Sequence, residues 1–392
     1  EIRLSLVGSE MCIRDSFYSP GLLATLLAGA AQKPAPVALS PAPRVRITSP
    51  TAEGNALSFE LEIDDRGAGL GEIRVFVNGK RVELPGDTTS RSVKRIGVTA
   101  RISVRVDLSD GDNLVSATAT NREGIESEPA EHKVLVAGPA RTAVLHLLGV
   151  GINKYKNAAL ALTYARPDAE AIVEALQRQG GKLFKSVELT TLYDKAVTRA
   201  SIEQGLARIE AAAKPEDVVV IYMGGHGETY DGRWYFLPHD VLFPEDPKHV
   251  AEKAVPDTAL AESLRRIRAQ KILVMLDACK SGGALVAFRG TEERRALAQL
   301  AHSTGTYVVA AAAGMQLAAE ITALKHGVFT YALLEGLGGA ADSNQDKKVT
   351  VEELITHVKN TMPELTSKYR NAAQYPVSSQ LGQATDFPIS VR

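Results

Sequence analysis

The spacing of apolar residues changes character once along this chain, and that change limits what the chain can fold into. From Arg44 to Val136 the period is two: Val45/Ile47, Leu57/Phe59/Leu61/Ile63, Ile73/Val75/Val77, Ile102/Val104/Val106 and Val115/Ala117/Ala119 alternate with polar residues. This is the pattern of strands wet on one face. Asn78-Gly79, between Val77 and Val82, is a type I′ hairpin signal, and Asp110-Gly111-Asp112-Asn113 marks a second turn. Beyond Gly138-Pro139 short apolar runs alternate with helical patterns instead, as in an α/β domain with a mainly parallel sheet. Two domains are expected, an all-β sandwich over residues 43–138 and an α/β domain over residues 141–392.

A length of 392 residues fits that division. Apolar residues at 45% and charged residues at 23% are globular usage, so both parts have the means to build a core. With 45 Lys+Arg against 46 Asp+Glu the formal charge is −1, and no global field draws the chain to nucleic acid or to an anionic membrane. No apolar run reaches the ~18 residues of a membrane-spanning helix. The run Gly21-Leu22-Leu23-Ala24-Thr25-Leu26-Leu27-Ala28-Gly29-Ala30 looks like the apolar region of a signal peptide ending in an A-x-A site, a short buried helix being the alternative. Export to the periplasm or out of the cell is therefore expected. Ahead of it, Ser5 to Ser16 resembles a translated sequencing-adapter peptide. Residues 1–42, comprising this adapter-like start, the leader-like run and a stiff linker with Pro34, Pro36 and Pro41, are set aside from fold reasoning. Cys12 falls in that segment, which leaves Cys279 as the only native thiol and no disulfide framework.

In the α/β part, Thr142–Gly149 reads as a first strand, and Pro167 at the first helical position with Gly180 at the far end delimits a helix. Val187–Tyr193 is a strand and Arg199–Ala213 a helix. Asp217–Met223 and Lys271–Leu276 are near-continuous apolar runs, the mark of central strands covered on both faces. Asp257 is expected to cap a helix carrying Leu260, Leu264 and Ile267. A strand at Thr306–Ala311 and helices around Thr291–Leu300, Val328–Leu337 and Val351–Met362 complete a doubly wound order with flanking helices.

Chemistry in such sheets gathers beyond the carboxyl ends of the strands. Two strand ends stand out: Tyr222-Met223-Gly224-Gly225-His226-Gly227 and Leu276-Asp277-Ala278-Cys279-Lys280-Ser281-Gly282-Gly283. Each breaks from apolar residues into small ones around a single reactive side chain. A thiol is mostly protonated at neutral pH, so a catalytic cysteine needs a neighbouring imidazole to take or share its proton, and His226 is the candidate.

The pair Gly225-His226-Gly227 and Asp277-x-Cys279-x-Ser281-Gly282 resembles the caspase-like clan of cysteine peptidases, nearest to metacaspases and bacterial orthocaspases. The separation of 53 positions from His226 to Cys279 matches a spacing of about fifty known for caspases. Gly149-Val150-Gly151-Ile152-Asn153-Lys154-Tyr155, Ala165-Arg166-Pro167-Asp168-Ala169 and Gln316-x-Ala318-x-Glu320 resemble the family's opening strand, first helix and late substrate loop. The resemblance implies a cysteine-type endopeptidase acting on protein or peptide substrates and requiring no cofactor. It makes Cys279 the nucleophile and His226 the general acid/base. The backbone N–H groups of Gly227 and Cys279 form the oxyanion hole it implies. The leading segment resembles the immunoglobulin-like modules of exported bacterial proteins. It reads as a spacer or adhesion module, with partner binding as its candidate role.

Asp277 lies two residues before Cys279, so on an extended strand the two side chains leave on one face. Its carboxylate favours Arg or Lys at P1, as does the resemblance, and Glu320 is a candidate second acid; a structural carboxylate is the alternative for each. Arg289, Arg294 and Arg295 are candidate self-cleavage points or the solvated face of a helix. Asp342, Asn344, Asp346, Thr350 and Glu353 stand at EF-hand positions 1, 3, 5, 9 and 12, which makes Ca2+ a candidate ligand. Lys347 occupies the position of the turn-forming glycine, and an Asx-turn loop capping the Val351 helix is the other reading. The remaining histidines form no metal-ligand spacing with cysteine, and one thiol cannot close a zinc tetrahedron. A catalytically idle interaction protein, in which the sandwich binds a partner, is the rival from another class.

Overall fold

The change of period is a change of architecture. This computed structural model describes residues 40–84, 94–96, 99–137, 142–280, 289–311, 320–321, 324–370, 374–379 and 385–391, so the leader-like and adapter-like segments lie outside it. The first part consists of β1 (Arg44–Glu53), β2 (Ala56–Asp64), β3 (Leu70–Val77), β4 (Lys80–Val82), β5 (Lys94–Ile96), β6 (Thr99–Asp107), β7 (Gly111–Asn121) and β8 (Ala130–Val136). They form two antiparallel sheets of order β1-β2-β6-β5 and β4-β3-β7-β8. The register aligns Leu57 with Val106 and Phe59 with Val104 in one sheet, and Val75 with Ala117 in the other. Because every second residue points inward, Leu57, Phe59, Leu61 and Ile63 meet Ile73, Val75, Val77, Val115 and Ala117 in a single core. The turn at Asn78-Gly79 has φ of 52° and 81°, the two left-handed residues that a type I′ hairpin requires.

The second part begins with β9 (Leu145–Gly151), α1 (Ala165–Leu183), β10 (Val187–Tyr193) and α2 (Arg199–Ala212). Next come β11 (Val218–Tyr230), β12 (Arg233–Leu237), α3 (Pro247–Lys253), β13 (Val255–Pro256), α4 (Asp257–Arg266) and β14 (Lys271–Lys280). It ends with α5 (Arg289–Thr304), β15 (Tyr307–Ala310), β16 (Glu320–Ile321), β17 (His326–Gly327), α6 (Val328–Glu335), β18 (Lys348–Thr350), α7 (Val351–Arg370), β19 (Val377–Ser379) and β20 (Pro388–Val391). The main sheet runs β10-β9-β11-β14-β15-β19, with all strands parallel except β19 at the edge. β12 pairs antiparallel with the outer end of β11, β16 with β17, and β18 with β20.

Helices cover both faces, which explains the uninterrupted apolar runs. On one face Val219, Ile221, Met223, Ile272 and Val274 pack with Ile202 of α2, Leu264 of α4 and Leu300 of α5. On the other, Val218, Val220, Tyr222, Leu273 and Met275 pack with Ile172 of α1, Phe329 of α6 and Val358 of α7. The mixed α/β architecture with a mainly parallel sheet is thus as expected, and β10 has the predicted bounds.

Several boundaries differ. Neither β11 nor β14 stops where its apolar run ends: the two pair with each other beyond Gly224 and Asp277, and β12 pairs with β11 there, so His226 and Cys279 sit within strands rather than in loops. Pro167 is the third helical residue of α1, and Asp257 is the first residue of α4 with Pro256 as its cap. α7 runs through Pro363 because its apolar stripe continues beyond Met362 to the partly buried Leu365.

The sandwich does not stand off as a spacer. The β3–β4 hairpin plugs into the carboxyl ends of α4 and α5. Lys80 is 2% exposed, and its Nζ donates to the carbonyls of Ile267 and, at 2.9 Å, of Arg265. Asn78 Nδ2 donates to Gln270 Oε1 at 2.7 Å, and Gln270 Nε2 donates to the Asp107 carbonyl at 3.1 Å.

Candidate active site

Parallel pairing of β11 with β14 sets His226 directly across from Cys279, and Gly227 across from Lys280. The two residues singled out in the sequence are therefore neighbours on adjacent strands, at the carboxyl end of the sheet. The Cys279 side chain lies outside the described residues, as do Ser281 to Gly283.

His226 is 7% exposed and is held at both ends. Its backbone N–H donates to Tyr155 Oη at 2.8 Å, and the Tyr155 ring packs against the imidazole with centroids 5.1 Å apart. Burial raises the Tyr155 phenol well above its ordinary range, so this oxygen stays protonated. Nε2 lies 2.9 Å from the Leu160 carbonyl. A carbonyl only accepts, so Nε2 carries the proton and Nδ1 keeps the lone pair, the state a proton acceptor needs.

Gly227 is hemmed in on both sides. A Cβ there would lie 2.6 Å from Trp234 Nε1 and 2.9 Å from the Ala278 carbonyl, so packing by β12 and β14 already demands glycine. Trp234 in β12 is 2% exposed.

On the face of the sheet covered by α1 and α6, Asp277 is 9% exposed. Its Oδ2 accepts from Thr330 Oγ1 at 2.6 Å and lies 3.2 Å from Tyr222 Oη. Nearby is a second buried carboxylate, in the Ala165–Ala169 stretch that resembles the family's first helix. Asp168, 2% exposed, accepts the Gly327 N–H at Oδ2 (2.9 Å), and its Oδ1 lies 2.5 Å from His326 Nδ1. A Cβ on Gly327 would be 3.0 Å from Asp168 Oδ2 and 3.4 Å from Asp277 Oδ2, so both carboxylates converge on this one glycine. Burial, then Asp277 and then Asp168 drive the Tyr222 phenol far upward, which keeps it a neutral donor between them. The β16–β17 register pairs Glu320 with Gly327, so the candidate second acid is placed at this site in the backbone, its side chain lying outside the described residues.

The other expected sites lie elsewhere. Arg294 and Arg295 are exposed on α5, and the Arg289 side chain is outside the described residues. In the loop before α7, Asp342 accepts from the amides of Asp346 (3.1 Å) and Lys347 (3.0 Å), and Asn344 Oδ1 accepts from Asp346 at 2.8 Å. Glu353 accepts from Ser343 and from Thr350. Lys347 takes φ of 68° in place of glycine. Among the described residues no group of three or more His, Cys, Asp or Glu side chains could hold a metal ion. Three of the other histidines have structural partners: His146 lies 3.2 Å from Asp217, His249 accepts from the Leu242 amide, and His357 lies 3.5 Å from Glu335.

A family model described as Caspase domain matches residues 146–388, more than half of the chain and both strand-end motifs. The chain belongs to the caspase-domain family. Membership gives the caspase domain a cysteine peptidase-like function, with hydrolysis of protein substrates as its class of chemistry. No curated protein matches the chain. Among solved structures, protein GSU0716 from Geobacter sulfurreducens aligns at 14% identity and a TM-score of 0.41, over 61% of this chain and 94% of its own. OgpA from Akkermansia muciniphila aligns at 13% identity and 0.19, over 31% of this chain and 37% of its own. Chitinase ChiW from Paenibacillus sp. aligns at 12% identity and 0.18, over 62% and 21%. None of these three reaches 0.5, and the assignment to the caspase-domain family rests on the family match. No helix among the described residues is long and apolar enough to cross a membrane.

Proposed function

We propose that this caspase domain is a cysteine endopeptidase of the metacaspase and orthocaspase type, cleaving after Arg or Lys through His226 and Cys279. The observation that carries the reading is the register pairing of those two residues, with the His226 proton fixed on Nε2 by the Leu160 carbonyl.

In this mechanism the Cys279 thiol passes its proton to His226 Nδ1, and the thiolate attacks the scissile carbonyl carbon. The oxyanion formed is stabilised by the N–H groups of Gly227 and Cys279. As the C–N bond breaks, the imidazolium gives its proton to the leaving amine, and a thioester remains on Cys279. His226 then takes a proton from water, whose oxygen attacks the thioester; the acid product leaves and the thiol is restored. The Leu160 carbonyl stays hydrogen-bonded to Nε2–H through both halves, favouring the imidazolium.

Asp277 and Asp168, with Glu320 opposite Gly327, supply the negative charge that selects a basic P1 side chain. No step is routed through a metal; Ca2+ at the Asp342–Glu353 loop is a separate proposal, tested below. Export rests on the leader-like run alone. The strand orders β1-β2-β6-β5 and β4-β3-β7-β8 support an immunoglobulin-like sandwich, since they match the ABED and C′CFG sheets of that fold. The idle-scaffold reading is not favoured, since His226 and Cys279 are both present and paired.

An arginyl chloromethyl ketone peptide tests the reading. It should alkylate Cys279, as located by peptide mass mapping, and His226→Ala should slow that labelling. Labelling of the protein anywhere but this thiol, at a rate indifferent to His226→Ala, would contradict it.

A further inference from the structure

The contact between His326 and Asp168 does something the mechanism above does not use. Asp168 Oδ2 is committed to the Gly327 amide, and the imidazole lies 2.5 Å from Oδ1. The His326 side chain is 25% exposed whereas that of Asp168 is 2% exposed, so the imidazole lies between the carboxylate and solvent. It occupies the oxygen that an incoming guanidinium or ammonium needs.

We propose that His326 is a specificity-determining residue that competes with the P1 side chain for Asp168. As an imidazolium it satisfies the carboxylate from within the chain, and a basic substrate must displace it. As a neutral imidazole it gives up a hydrogen bond from an uncharged donor, which is weaker than an ion pair, and the exchange favours the substrate cation. The inference rests on reading Asp168 and Asp277 as the acids that bind P1.

Most of the charged groups around the imidazole are acidic. Of the elements packed against β17, α1 brings Asp168, while its Arg166 is engaged by Glu170 and Asp194. α6 brings Glu335, which lies beside His357, and β16 brings Glu320. Lys325 is the adjacent residue in the chain, and beyond Gly327 stands Asp277 with the neutral hydroxyls of Tyr222 and Thr330. A protonated imidazole is the stronger competitor, while the charge on a P1 arginine does not change between the two pH values used below. Loss of the His226–Cys279 chemistry in acid affects every substrate alike, so the ratio of activities on basic and neutral P1 isolates the effect.

The test compares kcat/KM for two peptides that differ only in Arg or Leu at P1, at about pH 8 and about pH 5.5. It uses the full chain and its His326→Ala and His326→Gln variants; glutamine keeps a donor for Asp168 without the charge. The Arg/Leu ratio of the unmodified protein should fall by about fivefold on acidification, the upper end for a partly exposed ion pair. In both variants the fall should be absent. A fall that persists in the variants, or a flat ratio in the unmodified protein, overturns the proposal. If arginine is preferred and Asp277→Asn abolishes that preference while His326 has no influence, only this inference fails. If arginine is not preferred at either pH and Asp277→Asn changes nothing, the P1 reading fails and takes this one with it.

Discussion

His226 and Cys279 are register partners on adjacent parallel strands, β11 and β14, although they stand 53 positions apart in sequence. Strands that extend past their apolar segments place both residues at the carboxyl end of the sheet while keeping them in a hydrogen-bonded ladder. The ladder fixes their spacing without help from a flexible loop. The same extension brings β12 alongside β11 and sets Trp234 against Gly227.

Tyr155 positions the imidazole from behind. Tyr155→Phe removes the acceptor for the His226 N–H and leaves a buried donor unpaired, at a cost of about 1–3 kcal/mol. We expect kcat to fall roughly tenfold with KM little changed, since the phenol is not in contact with substrate. Steady-state kinetics on a P1-Arg peptide check this; a change confined to KM would contradict it.

Asp277→Asn and Asp168→Asn should each lower kcat/KM for basic P1 by about 10–100-fold, the worth of a hydrogen bond to a charged group. Neutral P1 peptides should change by less than about threefold. Equal losses on both peptide types would assign these carboxylates to structure alone.

Lys80 makes the hold of the sandwich on the caspase domain depend on pH. Burial pushes its amine down to about 7 from 10.5, and a neutral amine still has two N–H groups for the carbonyls of Arg265 and Ile267. The unfolded chain keeps this proton up to about 10.5, so the folded state carries the cost of the buried charge below about pH 7. Stability is then regained as the pH rises from about 7 toward 10.5. Between about pH 7 and about pH 9 the unmodified protein should gain on the order of 2 kcal/mol relative to Lys80→Met. Urea denaturation at the two pH values checks this; parallel pH dependences would refute it.

The Asp342 carboxylate accepts two backbone N–H groups of its own loop. In the absence of calcium, Asp342→Ala should destabilise the protein by about 1 kcal/mol. Isothermal calorimetry decides the loop's second role. Heat on adding Ca2+ that disappears in Asp342→Ala assigns a cation site, and no heat in the unmodified protein leaves a capping loop.

Legibility in the sequence followed how local each signal was. Val187–Tyr193 reads as a strand because its period and flanking turns suffice, and the Asn78-Gly79 hairpin is fixed by two residues that tolerate positive φ. The outer halves of β11 and β14 were not legible, because Gly224 and Gly225 read as loop and only pairing with neighbouring strands makes them strand. β8 was missed since Glu131, Lys133 and Leu135 leave one face fully exposed and weaken its alternation. Nothing local sets Asp168 apart within the Ala165–Ala169 stretch; the fold of β17 onto α1 sets it beside Asp277 at Gly327. Lys80 beside a turn reads as solvated, and its burial depends on helix ends almost two hundred residues away.

The most direct measurement compares cleavage of a P1-Arg fluorogenic peptide by the unmodified protein and by Cys279→Ala, with melting curves recorded on both. Turnover should fall at least about a thousandfold, to background, while the melting transition stays in place. Cleavage that survives in a folded Cys279→Ala variant would contradict the account.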